Sequence, residues 1–275
     1  MTTMLEVSDL SVDYGGGRVV NNVSFELGEG EIVAFLGPNG AGKTSALKAI
    51  SGLVRADSGS VKINGVDISR MPAEKRSRLG IFLVPDDRGL FPPLPVHAHL
   101  ALASHTRSTA ECRALVEEHF APLAGRWNLA AGSLSGGEAQ MLSLAMAMMA
   151  KPKVLMIDEL SFGLAPIVVR RLLNVIRDIA DRTGVAVLMV EQLVDLALAV
   201  ADRGIILRRE IILTGKAADL AADQHRLHEA YFGASAAGRA SNSGTTATTP
   251  ASPATPPPIS AAAEPGLPTP SEASE

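Results

Sequence analysis

Eight residues, Gly37-Pro38-Asn39-Gly40-Ala41-Gly42-Lys43-Thr44, have the types and spacing to hold a phosphate. They fit the pattern G-x-x-x-x-G-K-[ST], and they follow a short apolar run and open a helical stretch, the context that pattern requires. Glycines let the backbone turn tightly enough to aim several N–H groups at one anion. The helix that follows, beginning with Lys43, Thr44 and Ser45, adds the positive end of its dipole. Lys43 brings a point charge to the outer phosphates of a nucleotide, and the Thr44 hydroxyl suits Mg2+. A glycine turn with an incidental lysine would not need the strand before it and the helix after it.

A second segment, Val154 to Glu159, reads as a buried strand that ends in two carboxylates, Asp158 and Glu159. A parallel strand releases its charged end at the same sheet edge as the phosphate loop. Asp158 could hold Mg2+ through water, and Glu159 could orient and deprotonate an attacking water. Many strands end in charged loop residues, so this segment gains its meaning from the phosphate loop. A third segment, Leu134-Ser135-Gly136-Gly137-Glu138, precedes a helix. Ser135 with Glu138 three residues later is the pattern of a helix cap. Ser135 and the two glycines can also form a second cluster of backbone donors, an anion site at a helix N-terminus. Its position, after the phosphate loop and shortly before the acidic strand, favours a role beyond capping.

The elements that must position these residues alternate. Leu5, Val7, Leu10 and Val12 suggest a partly exposed opening strand, followed by Val19 to Leu27 and Glu31 to Leu36, then a helix from Gly42 to Ile50. Val61 to Ile63 and Val66 to Ile68 flank Asn64-Gly65, a two-residue hairpin signal. Gly80 to Val84, Lys153 to Ile157 and Val185 to Val190 read as buried strands, and Gly204 to Leu213 as a closing hairpin. Between Gly89 and Lys151 the pattern is helical: Val96 to Ser104, Ser108 to Phe120 and Gly136 to Ala150. The expected fold is α/β: a mostly parallel core sheet, antiparallel strands at the N-terminal side, and a helical subdomain inserted at about 89–151.

Composition limits the alternatives. Apolar residues make up 47% and charged residues 20% of the 275, ordinary for a globular chain that buries a real core. A formal charge of −4 gives no general attraction to nucleic acid or anionic lipid, so no nucleic-acid partner is expected. Cys112 is the only cysteine, which excludes an intrachain disulfide and suits a reducing compartment. No apolar run is long enough to span a bilayer; Met141 to Ala150, preceded by Gln140 and interrupted by Ser143, reads as a buried helix. Met1 to Leu10 lacks the basic and apolar regions of a signal peptide. Domain 1–233 is therefore expected to carry the activity. Residues 234–275, with eight of the seventeen prolines and almost no large apolar side chain, are expected to be a disordered tail.

Together the three segments resemble the nucleotide-binding domain of ABC transporters, a phosphate-loop ATPase fold, over roughly Leu5 to Gly233. Gly37 to Thr44 resembles the family's Walker A motif, Leu134 to Glu138 its signature motif, and Val154 to Glu159 its Walker B motif. The resemblance implies ATP and Mg2+ as ligands and a dimer in which each ATP lies between one subunit's Walker A and the other's signature motif. The second ATP-binding subunit could be the same chain or a paralogue. Tyr14 matches the aromatic residue that stacks on adenine, although an edge-strand tyrosine would look the same. The partners implied are transmembrane permease subunits and, indirectly, a solute-binding protein. The implied place is cytoplasmic, at the inner face of the membrane.

A narrower resemblance is to the ATP-binding subunits of branched-chain amino-acid importers, carried by Val84 to Pro92, Ser161 to Pro166 and Val190-Glu191-Gln192. Importers for urea and short amides share much of this pattern. A soluble ABC ATPase of DNA repair or translation is the reading from another class, but such chains usually carry a long coiled coil or two sets of motifs. Four departures stand out. Asp86 replaces glutamine or glutamate at a Mg2+-sensing position, and Gln192 replaces the wider family's histidine at the γ-phosphate. Leu160 replaces a proline after the catalytic Glu159. His97 and His99, in place of an acidic pair, are expected to face solvent or a partner.

Overall fold

Five consecutive apolar residues, Ile32–Leu36, form strand β3, and all five are buried. That requires a sheet covered on both faces. The computed structural model describes residues 2–104 and 108–232; the expected tail lies outside the described residues. In it β3 sits inside a six-stranded sheet of order β10-β9-β3-β8-β7-β6. Its neighbours are β6 (Ile81–Val84), β7 (Val154–Asp158), β8 (Ala186–Val190), β9 (Arg203–Arg208) and β10 (Glu210–Lys216). All pairs are parallel except β9 with β10. Ile32, Ala34 and Leu36 face a helical core, while Val33 and Phe35 face the other core with α1 (Lys43–Ser51), as the two-residue period of a strand dictates.

The second core is closed by an antiparallel sheet of β1 (Thr3–Asp13), β2 (Arg18–Gly28), β4 (Ser58–Ile63) and β5 (Val66–Asp67). Leu5, Val7, Leu10 and Val12 are fully or almost fully buried, more so than a partly exposed strand implies. The odd step from Val7 to Leu10 is a register shift, with Asp9 at φ 50°, which restores the inward face after an extra residue. Asn64 and Gly65 have φ 48° and 75°, both positive as a tight two-residue hairpin turn requires.

The expected helical insertion joins β6 to β7. Its helices are α3 (Val96–Ala103), α4 (Thr109–His119), α5 (Ala121–Ala124) and α6 (Gly136–Met149), with α2 (Ala73–Leu79) before β6. Ser108 and Ser135 are the caps of α4 and α6, each forming a reciprocal pair with the glutamate three residues on. Helix α7 (Pro166–Thr183) follows β7; α8 (Val194–Leu198), α9 (Ala217–Ala222) and α10 (Gln224–Phe232) complete the described chain. No helix among the described residues is long and apolar enough to cross a membrane.

The two histidines of α3 part company. His97 is exposed, but His99 is fully buried, contrary to the expectation for the pair. The Phe91 N–H donates to His99 Nε2 at 2.9 Å, so Nδ1 carries the ring proton and donates to the Pro95 carbonyl at 3.0 Å. The ring serves as an internal brace for a proline-rich loop short of backbone donors.

The helix that follows the phosphate loop is braced at its far end. Arg76 of α2 is 5% exposed, and its guanidinium donates to the carbonyls of Ala49 (2.9 Å), Ile50 (2.8 Å), Ser69 (2.7 Å) and Met71 (2.9 Å). A cation here meets the last carbonyls of α1 and the negative end of its dipole. Replacing Arg76 with Met keeps the volume but leaves these carbonyls without a donor. We expect a loss of about 3 kcal/mol and a fall in melting temperature of about 6–12 °C, read by calorimetry; an unchanged melting curve would show that water replaces the guanidinium without cost.

Candidate functional site

Neighbouring strands β3, β8, β7 and β6 run parallel, so their C-terminal ends meet at one sheet edge. Gly37 follows β3, Glu191 and Gln192 follow β8, Asp158 ends β7, and Asp86 lies just past β6. The expected site residues are gathered by the sheet order itself.

The loop from Gly37 to Gly42 holds its shape by close approach. A Cβ on Gly37, at φ 143°, would lie 2.2 Å from the Leu207 carbonyl oxygen, and one on Gly42, at φ 94°, 2.2 Å from that of Val19. Gly40 is at φ 77°, and the Ala41 N–H donates to the Pro38 carbonyl. Residues 39–45, with Val19 and Glu159, line an open cleft of about 280 Å3. Lys43 is buried, and its Nζ donates to the carbonyls of Gly37 (2.6 Å) and Pro38 (3.0 Å). One ammonium proton of the three remains for an anion. Burial draws the Lys43 pKa below the usual range, and the charges of Glu159 and Asp158 act against that.

Across the cleft, the Thr44 hydroxyl donates to Asp158 Oδ1 at 3.0 Å. Asp158 is 1% exposed, and its pKa is pushed up to about 6 by burial, with Asp86 and Glu159 adding to the rise. A hydroxyl and a carboxylate in contact, with negative charge in excess, form a donor set suited to a hard cation. Mg2+ keeps several waters and takes few protein ligands, so Thr44 and Asp158 suffice to fit it. No group of three or more His, Cys, Asp or Glu among the described residues forms a closed metal cage.

Glu159 leaves β7 with φ 51°, a left-handed conformation that a non-glycine residue rarely adopts. Its amide donates to the Val190 carbonyl at 3.0 Å, and the Phe162 N–H donates to the Glu159 carbonyl at 3.2 Å. The turn redirects the carboxylate from the sheet into the cleft, where it lines the wall. Leu160, the departure from proline, is 1% exposed and joins the helical core.

Other expected residues lie apart from the loop's floor. Tyr14 is 56% exposed at the rim, with its hydroxyl 3.4 Å from Ser45 Oγ. Gln192 and Asp86 are exposed; Asp86 reaches Asp158 through its charge and not through a hydrogen bond. Leu134 to Glu138 starts α6 elsewhere. There Ser135 Oγ accepts from the Glu138 N–H at 3.3 Å, and the Glu138 carboxylate takes the Ser135 N–H at 2.9 Å and Arg126 Nε at 2.9 Å.

Two residues outside the set of candidate ligands stand next to members of it. Glu191 is 1% exposed; one carboxylate oxygen accepts from the Ser161 hydroxyl at 2.6 Å, and the other has no partner. Burial, with a smaller contribution from the nearby charge of Glu159, pushes its pKa up to about 7. The signal was present, since Val190-Glu191-Gln192 repeats the pattern of a buried strand ending in a carboxylate. Arg88, at φ 68°, donates from Nε to Gln140 Oε1 at 3.1 Å, and the Ser143 hydroxyl donates to the Arg88 carbonyl at 2.8 Å. The two buried polar residues of α6, Gln140 and Ser143, are thereby partnered by the loop after β6. Cleft size alone would select another place. A cleft of about 710 Å3 lies beside Arg55, Arg70 and Arg76, but Arg76 is already committed to four carbonyls.

Comparison with known proteins agrees with this geometry. Residues 20–161 match the family model described as ABC transporter. The high-affinity branched-chain amino acid transport ATP-binding protein BraG of Pseudomonas aeruginosa is 35% identical over 233 residues, covering 84% of this chain and 100% of the relative. The lipopolysaccharide export system ATP-binding protein LptB of Escherichia coli K12 is also 35% identical, covering 80% of this chain and 94% of LptB. Among solved structures, an ATP-binding cassette of an ABC transporter in its ADP conformation is similar in fold, with a TM-score of 0.75 at 21% identity over 85% of this chain and 100% of that one.

Glu191 gives a testable pH dependence. A carboxyl whose folded pKa lies above its unfolded value binds its proton more tightly when folded. Its contribution to stability is full below 4.5 and is lost as pH rises through about 7. Glu191→Gln keeps an acceptor for Ser161 and cannot ionise. The variant should be roughly 3 kcal/mol more stable than the parent at about pH 8, with the gain vanishing near about pH 4. Denaturant titrations across that range check it, and a gain independent of pH would refute the ionisation account.

Proposed function

Because this chain belongs to the ABC transporter ATP-binding family, whose members hydrolyse ATP to power transport, we propose that it is the motor of an importer for branched-chain or other hydrophobic amino acids. The observation that carries the substrate class is the likeness to BraG along the whole of that relative. The segments Val84–Pro92, Ser161–Pro166 and Val190–Gln192 begin at or just past the C-terminal ends of β6, β7 and β8 and support the same reading. A second reading, lipid export, draws on the equal identity to LptB. Uptake of labelled leucine into vesicles holding the chain with the membrane proteins that co-purify with it separates the two: ATP-dependent uptake supports import, and its absence with lipid extraction supports export.

The chemistry follows from the cleft. The backbone donors among residues 39–45 and the dipole of α1 receive the phosphates, and the remaining ammonium proton of Lys43 reaches the outer ones. Mg2+ held by Thr44 and Asp158, with Asp86 within electrostatic reach, would supply positive charge against the terminal phosphates. Glu159 takes the proton of the attacking water, Gln192 donates its amide to the γ-phosphate, and Tyr14 offers its ring to adenine. Ser135, Gly136 and Gly137 act on the ATP of a second subunit, identical or paralogous, so the working unit is a dimer seated on permease subunits at the inner face of the membrane. In this reading domain 1–233 is the ATPase, with its helical part at about 89–151, and 234–275 is an appended tail.

Glu159→Gln preserves shape and removes the base. ATP should still bind while turnover falls by about two decades or more, and Lys43→Ala should weaken binding itself. Turnover close to the parent's in Glu159→Gln would exclude Glu159 as the base.

The loop after β6 supplies the docking surface in this reading. Phe91 is 58% exposed while its amide is held by His99, and Leu94 is half-buried. Phe91→Ser therefore removes surface without opening the core. Basal ATPase activity should stay within about threefold of the parent's and vesicle uptake should be lost; undiminished uptake would place the docking surface elsewhere.

A further inference from the structure

Gly37, the first residue of the phosphate loop, is held from the far end of the described chain. Its N–H donates to the Tyr231 hydroxyl at 2.8 Å, across 194 residues of sequence. Gly37 lies just past β3, where the ladder with β8 and β9 has ended, so the sheet no longer supplies an acceptor for this amide. Tyr231 reaches it from α10, which is seated by the buried Leu227 and Ala230, and the Tyr231 ring packs on the helical core beside Phe232. Burial raises the pKa of the Tyr231 hydroxyl, so it stays neutral and keeps its proton.

The peptide units on the two sides of Gly37 are thus fixed by different partners. Tyr231 holds the N–H, and the Lys43 ammonium holds the carbonyl at 2.6 Å. The second tie comes from the same ammonium that must meet the phosphates in the proposed mechanism, with one proton left for them. The Tyr231 bond is the tie on Gly37 that makes no demand on Lys43. The residue has little room to adjust, wedged as it is against the Leu207 carbonyl.

We propose that Tyr231 is a positioning residue for nucleotide binding: helix α10 acts as a strap that holds the entrance of the phosphate loop in its anion-receiving shape. A loop already in that shape loses less conformational freedom on binding ATP, so the strap contributes to affinity more than to the chemical step. The inference rests on the reading of residues 37–45 as the phosphate site, and the parent chain controls for that reading.

Tyr231→Phe removes the hydroxyl and leaves the ring in the core. The full chain and the variant are compared by titration with a fluorescent ATP analogue, by steady-state ATPase kinetics and by thermal melting. The strap predicts a dissociation constant and KM raised on the order of 3–10-fold, with kcat changed by less than about twofold and melting lowered by no more than about 6 °C, the cost of one hydrogen bond. Amide exchange at Gly37 should quicken in the variant. Unchanged affinity and KM would overturn the proposal, as would a fall in kcat at constant KM. A large drop in melting temperature would also overturn it, since the hydroxyl would then be a structural tie. A parent chain that fails to bind the analogue would instead refute the phosphate-site reading.

Discussion

Asp158, Glu159 and Glu191 come off two adjacent strands, β7 and β8, and gather negative charge against a low-dielectric sheet edge with the Lys43 ammonium as the nearest buried cation. That imbalance organises the surroundings. Asp158 and Glu191 respond by holding protons into a range where free carboxylates have lost theirs. The Thr44 hydroxyl and the Ser161 hydroxyl each donate to one of them. A site strained toward positive charge is preorganised for a cation and for phosphates held by backbone dipoles, because those ligands relieve a conflict the fold has already built.

The loop after β6 runs from that acidic edge to the exposed Phe91. Asp86 acts on Asp158 by its charge; two residues on, Arg88 is locked to Gln140 and Ser143 of α6. Three residues further, Phe91 is tied to α3 through His99. Side-chain acceptors and donors replace the backbone partners that Pro85, Pro92, Pro93 and Pro95 withhold. A segment with fixed points at the acidic edge, at α6 and at α3 beside the exposed Phe91 is what a coupling element in the proposed importer needs.

How much of this was legible in the sequence depended on whether the signal was local. The phosphate loop, the acidic strand and the Ser135–Glu138 cap are short patterns whose physics lies within a few residues, and they were readable. So were β3, β7 and β8, because burial on both faces leaves a continuous apolar run. The bulge at Asp9 was encoded in the odd Val7-to-Leu10 step but looked like partial exposure. His99 and Tyr231 were not legible in role, since the groups they bind are backbone amides contributed by other elements. Glu191 was visible as a residue and missed as a site member, because β8's place between β3 and β7 is set by topology.

The sequence left two readings of Ser135 to Glu138 side by side, a helix cap and an anion site, and the hydrogen bonds make them compatible. Glu138 consumes the Ser135 N–H, and its carboxylate is held well below the usual range by Arg126 first and Ser135 second. Ser135 Oγ accepts from the Glu138 N–H, and its hydroxyl also helps to hold the Glu138 carboxylate. Gly136 and Gly137 occupy the first helical positions, whose N–H groups have no partner within a helix. Side chains there would meet Leu164 Cδ2 at 3.2 Å and Val168 Cγ1 at 3.0 Å, so glycine is what lets α6 start this close to α7. The cap thus fixes the helix start by using donors and acceptors that an incoming phosphate would not need. It leaves two amides for it, which on the proposed reading belong to the ATP of the second subunit.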